Sequence, residues 1–269
     1  MDEKIRHIAV IGIGSGDPDQ LTLEAVKAMR RTDVFFVLEK GPEKSALTRL
    51  RRNMIDEHAS GAHRIVEAED PWRDRARSEA GGYTEAVHDW RRRRADICER
   101  LIREELEPGR RGAFLVWGDP SLYDSTLAVL EDVTARGKVT FSYDVIPGIS
   151  SVSALAARHR TGLNQVGRPI HITPGRRLAE TVGNDDGDIV VMLDVHESFQ
   201  HFATEGVWIY WGAYIGTPDE ILISGPLEDV ADEIRRVRAA ARAEHGWIMD
   251  TYLLRLVSDE VSSAVSSAR

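Results

Sequence analysis

The apolar run Ala113-Phe114-Leu115-Val116-Trp117 stops at Gly118-Asp119-Pro120 and is followed by Ser121-Leu122-Tyr123-Asp124-Ser125-Thr126. Such a run, bounded by turn residues, fits a buried parallel strand, with a short helix the alternative that periodicity alone leaves open. A chain leaving a strand through this turn puts the Asp119 carboxylate at the strand's carboxyl end, where open α/β sheets bind ligands. Gly, Asp and Pro are also ordinary turn residues, so taken alone the tripeptide reads first as a plain strand-to-helix turn. Two further loops have similar chemistry. Gly12-Ile13-Gly14-Ser15-Gly16-Asp17-Pro18 follows the apolar His7 to Ile11, and Pro147-Gly148-Ile149-Ser150-Ser151 follows the alternating Val139 to Ile146. In the latter, one serine is expected to cap a helix and the second to be left for a ligand.

The glycine loop is close to a dinucleotide fingerprint but departs from it. Its third glycine, Gly16, comes one residue early, and Asp17 stands where that glycine belongs. A carboxylate there repels a pyrophosphate. Glu39, ending the next apolar run, mimics the ribose-binding acid of that fold and keeps a nicotinamide oxidoreductase as a competing reading. Basic residues are bunched at Arg49, Arg51 and Arg52, at Arg91 to Arg94, at Arg110 and Arg111, and at Arg176 and Arg177. Each bunch is first a solvated face; some of them could form an anion-binding patch. The single cysteine, Cys98, excludes an internal disulfide and a Cys-based zinc site. The nine histidines show no metal-ligand spacing, and His196 and His201 are five apart, so no metal is expected.

The elements that must position these groups form an α/β pattern. His7 to Ile11 reads as a strand, Leu21 to Met29 as a helix capped by Thr22, and Val34 to Leu38 as a second strand, a parallel βαβ unit. Residues 45–51 read as helical and Arg64-Ile65-Val66 as a short strand. Residues 67–94 lack a helical stripe until Tyr83 and read as a charged loop or mobile lid. Ile97, Leu101, Ile102 and Leu106 predict a helix over residues 95–107. A helix over residues 127–134, a strand over 139–146 and a helix over 152–157 follow. Further strands are predicted at residues 170–173, 188–194, 207–211, 221–225 and 252–256, with a long helix at 227–244. The divisions are an N-terminal α/β domain of residues 1–146, a C-terminal α/β domain of residues 147–257, and a disordered Ser/Ala-rich tail of residues 258–269.

Composition narrows the function classes. The net charge of −9 over 269 residues argues against general nucleic-acid binding. No apolar stretch approaches the roughly 20 residues of a membrane span. The charged start, Met1-Asp2-Glu3-Lys4, carries no signal-peptide pattern, and the expectation is a soluble cytoplasmic protein.

Taken in order, the three glycine-containing loops resemble those of the tetrapyrrole (corrin/porphyrin) methylase family. Within it, His171-Ile172-Thr173-Pro174-Gly175-Arg176-Arg177-Leu178, Val190-Val191-Met192-Leu193-Asp194 and Ile209-Tyr210-Trp211-Gly212-Ala213-Tyr214 resemble the branch that methylates precorrin-5 at C1 with release of acetate. The resemblance covers residues 5–257. It implies two α/β domains with a ligand cleft between them, S-adenosylmethionine as methyl donor, a precorrin (tetrapyrrole) acceptor, and a homodimer. By position it assigns donor contacts to Trp117, Gly118, Asp119, Leu122, Ser150, Ser151, Met192 and Ala213. Gly14 and Ser15 would line the acceptor trough, although Ser15 replaces a proline common in the family. Arg176 and Arg177 are candidate partners for acceptor carboxylates. Acetate release calls for a general base, for which Asp17, Tyr123 and Asp124 are the candidates. The competing readings are another precorrin position, the nicotinamide enzyme, and a tetrapyrrole carrier without catalysis.

Overall fold

The computed structural model describes residues 5–39, 45–72, 83–181, 187–203 and 206–256. Two compact units divide the chain after Ile149. The tail expected at residues 258–269 lies outside the described residues.

The first unit holds a five-stranded sheet in the order β3-β2-β4-β1-β5. Its strands are β1 (Arg6–Gly12), β2 (Val34–Glu39), β3 (Arg64–Glu69), β4 (Arg111–Val116) and β5 (Phe141–Ile146), and every pair is parallel. The expected βαβ unit is present, but its crossover skips a strand: β4 lies between β1 and β2. The inner strands β1, β2 and β4 are covered on both faces, which is why their runs are apolar throughout, whereas the edge strands β3 and β5 alternate. On one face Ala9, Ile11, Phe35, Val37, Ala113 and Leu115 meet α1 (Leu23–Met29) and α2 (Ser45–His58) through Ala25, Met29, Met54 and Ile55. On the other, Ile8, Val10, Phe36 and Phe114 meet α3 (Tyr83–Glu105) and α4 (Thr126–Arg136) through Cys98, Ile102, Leu130 and Val133. Thr22 caps α1 as expected, accepting from Ala25 N at 3.0 Å.

The helix expected over residues 95–107 begins twelve residues earlier, at Tyr83, within the segment read as a loop or lid. The cause is Arg94, which occupies a core-side position of α3 at 9% exposure, so the stripe from Ala86 through Ala95 and Cys98 is broken by a charge. Asp70 accepts that charge at 3.2 Å. The remainder of that segment, residues 73–82, lies outside the described residues.

The second unit holds the order β6-β7-β10-β8-β9, with β6 (Ile170–Pro174), β7 (Asp188–Met192), β8 (Val207–Ala213), β9 (Ile221–Pro226) and β10 (Asp250–Leu256). Only β6 and β7 run parallel; the other pairs are antiparallel. Around it stand α5 (Ser151–Arg158), the single turn α6 (Leu178–Thr181) and α7 (Leu227–His245). Among the described residues no helix is long and apolar enough to cross a membrane.

This unit buries charge as well as apolar surface. Arg238 of α7 donates to Asp250 at 2.9 Å, to Glu197 at 3.1 Å and to the Asp194 carbonyl at 2.8 Å. Burial opposes its charge, but Asp250 and Glu197 outweigh burial and hold the guanidinium protonated. Arg238→Ala leaves Asp250 buried beside only the Trp211 indole, and is expected to cost about 3–5 kcal/mol in urea unfolding. Arg235→Ala, one turn away on the half-exposed face, should cost under about 1 kcal/mol.

Candidate functional site

Three strand ends in the first unit meet through glycine. A Cβ built on Gly12 falls 2.5 Å from Gly148 N and 2.9 Å from Gly118 O. One built on Gly148 falls 2.1 Å from Gly118 O. No side chain fits at these positions, so the backbones of the loops after β1, β4 and β5 touch directly. Gly118 takes φ 68°, a left-handed conformation that glycine adopts without steric cost. Reciprocal hydrogen bonds, Gly118 N to Gly14 O at 2.8 Å and Gly14 N to Gly118 O at 3.3 Å, join the first two loops.

Asp119 ties in the third. One oxygen accepts from Gly148 N at 2.9 Å. The other accepts from Ser121 N at 2.8 Å and from the Ser121 hydroxyl. Partial burial pushes this carboxyl upward, but those hydrogen bonds outweigh it and hold Asp119 below the usual carboxylate range. The carboxylate is thus a clamp between two of the loops.

The other sequence-predicted residues of this unit separate by role. Trp117 packs on the α1/α2 face, and its indole Nε1 is buried without a hydrogen-bond partner among the described residues. Leu122 is half-buried, and Tyr123 is 45% exposed with φ 53°. Asp124 is exposed; its Oδ1 accepts from Thr126 N at 2.6 Å. Asp17 caps the short 3-10 turn Pro18–Gln20, accepting from Asp19 N at 3.0 Å. Gly14 and Ser15 are buried, and both polar groups of Ser15 are held by the Gln20 side-chain oxygen, the hydroxyl at 2.9 Å. Short polar side chains beside turns are readily taken by their own backbone, as here at Asp17 and Asp124.

In the second unit, Ser150 caps α5, as one of the two serines was expected to. The hydroxyl of its neighbour Ser151 meets that of Thr251 at 3.3 Å. Thr251 pairs with Met192 on β7, and Asp250 pairs with Ala213 on β8. The first two residues of β10 therefore gather Ser151, Met192 and Ala213, of which Ala213 is fully buried. Thr251 carried no sequence signal. Leu193, just past Met192, is exposed with φ 54°, a strained turn. Asp194 supports this turn, accepting from His196 N at 3.1 Å, Ser198 N at 2.6 Å and the Tyr252 hydroxyl at 2.7 Å. Arg176 and Arg177 lie exposed on the turn after β6, and Arg177 pairs with Glu180 at 2.9 Å. Among the described residues no cluster of His, Cys, Asp and Glu could hold a metal.

Residues 7–231 match the family model for tetrapyrrole (corrin/porphyrin) methylases. The chain is 48% identical over 256 residues to a precorrin-6A synthase [deacetylating] of Sinorhizobium sp, covering 95% of this chain and 97% of that enzyme. A crystal structure of a cobalamin synthesis related protein (CobF) from Corynebacterium diphtheriae superposes with TM-score 0.81 at 39% identity, covering 94% of this chain and all of that one. A uroporphyrin-III C-methyl transferase from Thermus thermophilus, complexed with S-adenyl homocysteine, shares the fold at TM-score 0.54 and 18% identity, over 93% of this chain and 92% of its own.

Two expectations follow from the geometry. Gly148→Ala should destabilise the protein by about 3 kcal/mol in chemical unfolding, because the obstructing atoms are backbone, whereas Gly162→Ala on an open surface should change it by under about 0.5 kcal/mol. A lowered folded pKa means that the Asp119 clamp stabilises fully above the unfolded value of about 3.9 and is lost as pH falls through the folded one. The gap in thermal midpoint between the protein and Asp119→Asn should therefore narrow from about pH 6 to about pH 3.

Proposed function

The chain belongs to the tetrapyrrole (corrin/porphyrin) methylase family, and on that basis we propose that it methylates precorrin-5 at C1, using S-adenosylmethionine and releasing acetate to give precorrin-6A. The observation that carries this reading is the 48% identity to a deacetylating precorrin-6A synthase, sustained over 95% of this chain and 97% of that enzyme.

Methyl transfer from a sulfonium is an in-line displacement. The acceptor carbon forms its bond to the methyl as the carbon–sulfur bond breaks, and the sulfonium charge is neutralised. Holding the two reactants in line is the main requirement, and a site that excludes water favours the dispersal of charge. Donor contacts in this reading are Trp117, Gly118, Asp119 and Leu122 of the first unit, and Ser150, Ser151, Met192 and Ala213 of the second. The buried Trp117 indole, unpartnered among the described residues, supports the first set, since an orphaned donor is costly unless something pairs with it. The gathering of Ser151, Met192 and Ala213 on β10 supports the second.

Acetate leaves when water attacks the acyl carbon, the carbon–carbon bond breaks, and its electron pair passes to the macrocycle. A base takes the water's proton. Of Asp17, Tyr123 and Asp124, Asp124 suits this best: Oδ1 is fixed by Thr126 N, and Oδ2 makes no hydrogen bond among the described residues. Arg176 and Arg177 are assigned to acceptor carboxylates, and Gly14 and Ser15 to the trough through their backbone, the Ser15 hydroxyl being taken by Gln20. A homodimer in the cytoplasm completes the reading, its size to be measured by sedimentation.

The nicotinamide alternative loses its main support. A dinucleotide loop opens directly into a helix N-terminus, whereas here a 3-10 turn intervenes and α1 starts only at Leu23.

Mass spectrometry of the protein incubated with S-adenosylmethionine and precorrin-5, with acetate assayed in parallel, should show one methyl gained and one acetyl lost. Methylation without acetate would move the reaction to another ring position, and absence of donor binding would refute the reading. Replacing both Arg176 and Arg177 by Ala should raise KM for the precorrin roughly tenfold and leave donor affinity unchanged.

A further inference from the structure

Two of the arginine bunches in the sequence each send a guanidinium to the same part of the first unit. Arg51 comes from α2 and Arg94 from α3, helices on opposite faces of the sheet. They meet near enough for the Arg94 charge to bear on Arg51. The place is an opening in the sheet. β2 and β4 pair from Val34–Gly112 to Phe36–Phe114 and then stop, while β2 continues beside β3 to Glu39–Glu69. On the open side of β4 the Leu115 carbonyl has no strand partner, and Arg51 Nε donates to it at 3.2 Å. The chain leaves β2 toward β3 on one side and β4 toward β5 on the other, so the opening is a switch point of the kind where parallel sheets take ligands.

The two arginines are unequally neutralised. Arg94 pairs with Asp70 at 3.2 Å, donates to the Ser125 hydroxyl at 2.9 Å, and lies over the Trp90 ring. Among the described residues Arg51 donates only to carbonyls, those of Leu115 and of Leu47 at 3.3 Å. No carboxylate of the described residues pairs with it directly, and its Nη2 makes no hydrogen bond among them; Asp124 and Asp70 act on it only through space. Burial, with Arg94 adding to it, brings the Arg51 pKa down to about 10. An apolar side chain in such a position is often at least as stable, which points to a use for the charge beyond folding.

We propose that Arg51, supported by Arg94, receives a side-chain carboxylate of the macrocyclic acceptor in the opening between the ends of β2 and β4. The assignment rests on the methyl-transfer reading above. A precorrin carries carboxylates around its rim, and a guanidinium with unused donors matches one by charge and by geometry. The anion would also supply the direct partner that Arg51 lacks. Beside the opening, the backbone fixes Asp124 in the loop after β4, so an anchored acceptor would be held close to the candidate base.

Arg51→Gln should raise KM for precorrin-5 roughly 10- to 100-fold while the Kd for S-adenosylhomocysteine and the unfolding midpoint stay as in the parent. An unchanged KM overturns the assignment. A second measurement needs no variant. Phenylglyoxal attacks unprotonated guanidines, so peptide mapping of the parent protein should find Arg51 labelled, and uroporphyrin, a stable octacarboxylate, should protect it while S-adenosylhomocysteine does not. Equal labelling with and without uroporphyrin, or no labelling of Arg51 in the free protein, overturns the assignment. Failure of the methyl-transfer reading shows separately, as a parent protein that neither binds S-adenosylhomocysteine nor methylates, and the assignment then falls with it.

Discussion

The first unit depends on a contact in which side chains take no part. Gly12, Gly118 and Gly148 bring three strand ends to backbone contact, and a single methyl group at Gly12 or Gly148 would overlap main-chain atoms. Main-chain atoms cannot swing aside as a side-chain tip does, so the contact leaves little choice of residue. It also sets the direction in which the chain leaves β4. Asp119 can then reach Gly148 N and turn loop proximity into a hydrogen-bonded clamp. Trp117 and Tyr123 on either side take their positions from the same turn.

The second unit holds its strand ends by the opposite means. Buried polar groups join β7, β10 and α7: Asp194 receives the Tyr252 hydroxyl, and Arg238 reaches Asp250 and the Asp194 carbonyl. Asp194 also leaves no space above Gly175, where a Cβ would lie 2.4 Å from its carboxyl carbon. Such networks are rigid when every member is satisfied, and they fail sharply when one is removed. The strained turn at Leu193 persists because this network surrounds it.

Charge placement explains where function and stability part. Arg238, buried, and Arg255, half-buried, have direct carboxylate partners, Asp250 and Asp188, and both hold strands to their surroundings. Arg51 is half-buried and, among the described residues, has carbonyls alone. The same residue type thus serves two ends, told apart by whether the protein itself supplies the counter-charge.

Much of this protein was legible in its sequence. Continuous apolar runs ending in Gly, Asp and Pro marked the inner strands β1 and β4 and their exits, because a strand buried on both faces must be apolar throughout and its exit must turn sharply. Thr22 and the Ser150-Ser151 pair marked helix starts through their capping hydroxyls, and the three glycine loops in order carried the family. Strand order, the partners of the polar groups and the extent of α3 were decided only by tertiary structure. Nothing local says that β4 inserts between β1 and β2, since pairing joins residues far apart in the chain. The continuity of α3 from Tyr83 to Ala95 was hidden because Arg94 breaks the apolar stripe, and Asp70 and Ser125, distant in sequence, make that charge tolerable inside. Likewise Arg49, Arg51 and Arg52 read alike as letters. The opening beside Leu115 alone distinguishes Arg51, because a charge acquires its meaning from what the fold places around it.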